Sequence, residues 1–167
     1  MIGGLGDIRS VLTLVQHPIE AGESVPRVIE DVMVPLERFE EFMKGVRALE
    51  KKYARELPVY GRLLDSMFSL YPSFDFAKVS ERQKLFSLID EVSDLVYKLG
   101  GTLYAATPEG RLFSPYVAKE MNEKVAQMYA QIKAIFDPHN ILNPGVKQAA
   151  DLKVVAKQLD ARHRPSL

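Results

Sequence analysis

Along residues 25–106 the apolar side chains recur first at every second position, then at every third or fourth, then at every second again, and the cycle repeats. A side chain faces the same side every two residues on a strand and every 3.6 on a helix, so this switching predicts the element order. "VPRVIEDVMVP" spaces Val28, Ile29, Val32 and Val34 as a strand closed by Pro35. From Leu36 the stripe Leu36, Phe39, Phe42, Val46, Leu49 and Tyr53 predicts a helix over 36–55. Gly45 lowers its propensity by about 1 kcal/mol against alanine unless a neighbour packs close. "LPVYGRLLDSMFSLYP" predicts strands over 57–63 and 67–72 about a turn at Asp65-Ser66. Ser80 and Gln83 form a capping box for a helix over 80–99, which Gly100-Gly101 end. "TLYAA" predicts a strand over 102–106.

The order is therefore β-α-β-β-α-β. The fold class is α+β: a ferredoxin-like antiparallel sheet of four strands, with both helices on one face and further helices appended at the C-terminal end. "TPEGRLFSP" reads as a loop, 116–136 as a helix carrying Val117, Met121, Val125, Met128, Ile132 and Phe136, and 149–162 as a final amphipathic helix. Residues 1–24 form a lead-in segment with at most a short helix near Ile8–Val15. The domain organisation is thus 1–24 as lead-in, 25–136 as the ferredoxin-like domain, and 137–167 as a loop and terminal helix.

Composition narrows the function. Lys+Arg and Asp+Glu number 22 each, so the chain lacks the basic excess of a general nucleic-acid binder. Without cysteine there is no disulfide, thiolate metal site or cysteine nucleophile. No apolar run approaches the ~20 residues of a membrane span, and "MIGGLGDIRS" lacks the pattern of a signal peptide. A cytoplasmic location is the expectation. His17, His139 and His163 have no metal-ligand spacing.

The densest run of turn residues is "FDPHNILNPGVK", Phe136 to Lys147. Pro138 ends a helix, Asn140 tolerates the left-handed region and Pro144-Gly145 makes a second turn. The apolar pair Ile141-Leu142 between these breakers wants something to pack on. Taken from the residues alone, a plain helix stop with a self-packed turn is the better account of the run.

"VIEDVMVPLERFEEF", "LVYKLGGTLYAATPEGRLFSPY" and "MYAQIKAIFDPHNILNPGVK" together resemble the C-terminal, substrate-side domain of FAD-linked oxidases, the glycolate oxidase and D-lactate dehydrogenase group. The likeness covers about 25–147, and "D-P-x-x-I-L-N-P-G" is its most specific part. It implies that this region caps a flavin held mainly by an FAD-binding domain outside this sequence, so the isolated chain is expected to be inactive. It also implies that Ile141 and Leu142 pack on that domain and that Asn143 turns its amide toward the FAD. The implied reaction is oxidation of a small 2-hydroxy acid by hydride transfer to flavin.

Two departures bear on that chemistry. Relatives use a "G-H-x-x-D-G-N-x-H" segment, which here reads "GRLLDSMFS", with Arg62 and Ser69 at the histidine positions. They also carry a Glu-His pair where this chain has Ala106 and Thr107. The catalytic base is thus unassigned and no metal site is expected. Arg62 is a candidate to bind the substrate carboxylate by a bidentate pair, against a solvated strand-end arginine. Arg111, in front of a helix, and Tyr104, on the last strand, are further substrate-binding candidates; a surface role for the first and core packing for the second compete. Glu30 and Asp31 read as structural and Glu109 as solvated. The alternatives to an enzyme domain are a non-catalytic subunit, or a ferredoxin-like interaction module. With its natural partner missing, the chain is also expected to be able to form a homodimer.

Overall fold

The computed structural model describes residues 25, 28–103, 105–106, 110–147 and 150–158. Strand β1 spans Ile29–Met33, helix α1 Phe39–Tyr53 after a 3-10 turn at Leu36–Arg38, β2 Val59–Arg62 and β3 Met67–Leu70. Helix α2 spans Val79–Lys98, α3 Gly110–Glu120, α4 Glu123–Phe136 and α5 Leu152–Gln158.

The three strands form an antiparallel sheet in the order β1-β3-β2. Both helices α1 and α2 supply one core together with the sheet face carrying Ile29, Val32, Phe68 and Leu70. Phe68 stacks on Phe39 at 5.0 Å and tilts against Phe42 at 5.5 Å. Gly45 has its close neighbour: a Cβ there would lie 2.6 Å from Leu95 Cδ1, so the glycine lets α1 and α2 approach. The sequence therefore places its α+β layers correctly. Helix α2 ends as its glycines foretell, with Gly100 at φ 74° and the Gly101 N–H donating to the Val96 carbonyl.

Three details differ from the sequence reading. The fourth strand contributes, among the described residues, one antiparallel bridge: Thr102 and Met33 exchange both backbone hydrogen bonds at 2.9 Å. That bridge lies on the edge of β1 away from β3, outside the three-stranded sheet. The Ser80 capping box is not formed. Helix α2 starts one residue earlier, at Val79, with no side-chain cap, because a turn closed by the Asp75 carbonyl on the Lys78 N–H delivers the chain into it. The expected loop "TPEGRLFSP" is mostly helix α3, and the expected helix 116–136 is two helices. Phe113, Tyr116 and Val117 recur at helical spacing and are buried, which holds α3 together despite Pro115. Asn122 then caps a new helix by accepting from the Lys124 N–H at 2.9 Å.

Gly101 marks the tightest approach of the chain to the sheet. A Cβ there would sit 2.2 Å from the Met33 carbonyl oxygen, a backbone atom that cannot rotate aside. Gly101→Ala should therefore break the Thr102 bridge and destabilise the domain by about 1–3 kcal/mol, as overpacking does. A shift of the urea midpoint reads the effect directly; an unchanged midpoint would show that the edge can move away freely.

Candidate functional site

The sheet has one face turned from the helices, and strand alternation assigns its residues. Val59 and Gly61 share the core side with Leu70 and Phe68, so Tyr60, Arg62, Met67 and Ser69 lie on the open side. Tyr71, next after Leu70, joins them: its ring meets Tyr60 edge-on at 5.3 Å, and its hydroxyl is 3.4 Å from Glu30 Oε1. Burial pushes the Tyr60 phenol up from its ordinary value.

Strand β1 carries a bulge here. Ile29 pairs with Leu70 and Val32 with Phe68, so Glu30 and Asp31 stand together opposite Ser69 alone. Asp31 takes a left-handed φ of 51°, and its N–H donates to Ser69 Oγ at 2.9 Å. Ser69 is 6% exposed, so this hydroxyl is committed to the backbone of the bulge.

Arg62 lies on the same open face at the end of β2. Its Nε is 3.1 Å from Asp65 Oδ2, and Nη2 is 3.0 Å from Met67 Sδ. These contacts engage the Nε and Nη2 edge of a half-exposed guanidinium, and Nη1 makes no contact among the described residues. Tyr104, Glu109 and Thr107 lie outside the described residues, as does the whole lead-in segment 1–24, including His17 and the short helix expected near Ile8–Val15.

The second cluster is the corner between α3, α4 and the loop 137–147. Arg111 is exposed on the first turn of α3, and its side-chain carbons come within 3.5 Å of where a Cβ on Gly145 would be. The Lys147 N–H donates to Ser114 Oγ at 3.1 Å. These contacts bring Arg111 to the Asn-Pro-Gly turn; Arg62 belongs to the sheet face instead. Asn143 is exposed with φ 45°, and its carbonyl accepts from the Val146 N–H. Its side-chain amide makes no hydrogen bond among the described residues.

Sequence reasoning missed what shapes this loop. Asp137, only 8% exposed, accepts the Ile141 N–H at Oδ1 (2.9 Å) and the Leu142 N–H at Oδ2 (2.8 Å). Lys133 reaches Asp137 Oδ2 at 2.5 Å and the Leu142 carbonyl at 2.5 Å. The Lys133 hydrogen bond, supported by the two N–H donors, holds the Asp137 carboxyl below the usual carboxylate range. The signal was present as Lys-x-x-x-Asp one helical turn apart, followed by Pro.

The apolar pair is not packed on the chain's own core: Ile141 is 73% exposed and Leu142 63%. They continue an exposed stripe of α4 made of Val125, Met128, Tyr129, Ile132, Ile135 and Phe136. No residue of α4 is buried. A groove of about 330 Å³ runs between this helix and the loop, lined by Tyr129, Ile132, Phe136, Leu142, Asn143 and Val146 among others.

The described residues at the positions where the family resemblance puts histidines and a Glu-His pair do not make a metal donor set. Arg62 is a cation, Ser69 Oγ is spent on Asp31 and Ala106 has no donor atom. Among the described residues no three His, Cys, Asp or Glu side chains converge as a metal would need. Nor is any described helix long and apolar enough to cross a membrane.

Comparison with known proteins agrees with this architecture. Residues 6–146 match the family model described as FAD linked oxidases, C-terminal domain. Similar proteins include the glycolate oxidase subunit GlcD of Bacillus subtilis (strain 168), 26% identical over 78% of this chain and 28% of that protein. A D-2-hydroxyglutarate dehydrogenase of Haemophilus influenzae is 32% identical over 75% of this chain and 12% of its own length. A D-lactate dehydrogenase of Anaerostipes hadrus is 25% identical over 69% and 24% respectively. The chain thus spans under a third of each of these relatives. With a model match over most of its length, it belongs to the FAD-linked oxidases, as their C-terminal domain.

Proposed function

We propose that this chain is the substrate-side cap of an FAD-dependent oxidoreductase acting on a small 2-hydroxy acid of the glycolate or D-lactate type. The observation that carries this reading is the continuous exposed apolar face of α4 and the loop with Ile141 and Leu142, which ends on an Asn143 amide free of internal bonds. Such a contiguous patch marks a docking surface, and the partner that the family match implies is a flavin-binding domain or subunit outside the matched region, which is under a third of each relative's length. FAD supplies the hydride acceptor when bound. The fit on this side is a single amide donor and acceptor at Asn143, consistent with a cofactor held mainly elsewhere.

Within that assembly the open sheet face supplies substrate contacts. Arg62, half exposed, offers its Nη1 to a carboxylate, and a bidentate pair forms where the acid displaces Met67 from Nη2, which anchors the acid without a metal. Tyr60, two residues before it on the same face, lines the approach to this arginine with its ring set edge-on to Tyr71. Arg111, at the Asn-Pro-Gly corner, adds positive charge near the docking edge. Tyr104 is retained as a substrate contact on sequence grounds alone. No base for the hydroxyl proton is assigned to this chain.

A non-catalytic subunit is the second reading, favoured by the commitment of Ser69 Oγ to the bulge at a position where relatives place a histidine. Mixing the chain with its flavin-binding partner and adding glycolate or D-lactate without oxygen separates the two. Bleaching of the oxidised flavin supports the enzyme, and a flavin untouched by any 2-hydroxy acid supports the subunit. The chain alone should purify colourless, with no flavin bound at micromolar affinity, and should self-associate through α4 in sedimentation. A yellow monomer would contradict both expectations.

A further inference from the structure

We propose that Asp137 and Lys133 form a clasp that fixes the loop 137–147, and thereby the position of Asn143, before any partner docks. This rests on the reading of Asn143 as a flavin contact, and it makes both residues positioning residues.

The loop has little else to hold it. Ile141 and Leu142 are exposed, so burial does not fix their backbone. Asn140 and Asn143 both sit in the left-handed region, at φ 51° and 45°, which asparagine tolerates more readily than other residues with a Cβ but does not select by itself, so a further constraint is needed to fix the loop in this one shape. The clasp supplies that constraint. One buried carboxylate takes the N–H groups of Ile141 and Leu142, and Lys133 ties the carboxylate to the Leu142 carbonyl, the group just before Asn143. At the other end the Lys147 N–H on Ser114 and the Arg111 stem against Gly145 fasten the chain to α3. Asn143 stands between two anchored points, with its own amide uncommitted. Charge-assisted hydrogen bonds of this kind are about twice as strong as neutral ones, which suits a loop that must keep its shape while exposed.

Two measurements test the clasp. In the 167-residue chain, Asp137→Asn keeps the shape of the side chain but removes its charge and one acceptor. Hydrogen exchange at the Ile141 and Leu142 amides should quicken about tenfold, as for loss of a hydrogen bond to a charged group, while core amides such as Leu88 stay unchanged. Lys133→Met should quicken the same amides. Unchanged exchange in both variants overturns the clasp. In the complex with the flavin-binding partner, Asn143→Ala, Asp137→Asn and the double variant are compared by flavin absorption spectrum. If Asp137 acts through Asn143, its variant shifts the spectrum in the same direction, and the double variant shifts it no further than Asn143→Ala alone. Additive shifts overturn the positioning role. A silent Asn143→Ala alongside quickened exchange overturns the flavin contact and the positioning role with it, and leaves the clasp demonstrated as a device of the fold.

Discussion

Arg62→Ala should lower kcat/KM of the assembled enzyme about 30- to 900-fold, the equivalent of about 2–4 kcal/mol for removing one member of a desolvated charge pair. Arg62 is half exposed and touches only Asp65 and Met67 among the described residues, so the variant should unfold at nearly the same urea concentration as the parent. Arg62→Lys should recover part of the loss, because a single ammonium keeps the charge but not two parallel donors. The Asp65 carboxylate competes for the same guanidinium, so Asp65→Asn should leave binding of the acid no weaker. If Arg62→Ala leaves kcat/KM as it was, the substrate acid is anchored elsewhere, and Arg62 is a strand-end cation paired with its neighbour.

Phe42→Ala should have the opposite signature, a large loss of stability with no specific effect on the site. The ring is fully buried and meets Phe68 at 5.5 Å, where α1 crosses the sheet. Truncation of a buried phenylalanine costs about 3–5 kcal/mol, in part because the cavity cannot close. A domain of this kind is stable by about 5–15 kcal/mol, so the variant should be partly unfolded at moderate temperature. Equilibrium denaturation in urea measures this, and a loss below about 1 kcal/mol would mean that the α1–sheet seam repacks.

The layers of the fold were legible because period and burial agree: Phe42, Val46 and Leu49 on α1 and Leu85, Leu88, Ile89, Val92 and Val96 on α2 are all in the core. Periodicity failed where it could not say which partner an apolar stripe meets. Val117 and Met121 pack on the core, whereas Val125, Met128 and Ile132, which continue the same spacing, face solvent. Asn122 lies at the changeover, and its cap is a short-range event that an apolar count does not register. The bulge at Glu30-Asp31 was likewise hidden, since alternation across Ile29 and Val32 looks like a minor irregularity until Ser69 is known to face both residues. In the candidate site, Arg62 and Asn143 were singled out by their places in the family's motifs, and the structure leaves both side chains exposed. Asp137 was not, because an aspartate before a proline reads as a helix stop whether or not its oxygens gather backbone donors.

That α4 places no side chain in the core has a consequence for mutational tolerance. Substitutions along Val125, Met128, Ile132, Ile135 and Phe136 should divide cleanly from those along α1 and α2: the first group leaves folding intact and changes only which surfaces adhere, the second does the reverse. A library varied on α4 and sorted for assembly could therefore re-pair this cap with a different flavin module without first being stabilised.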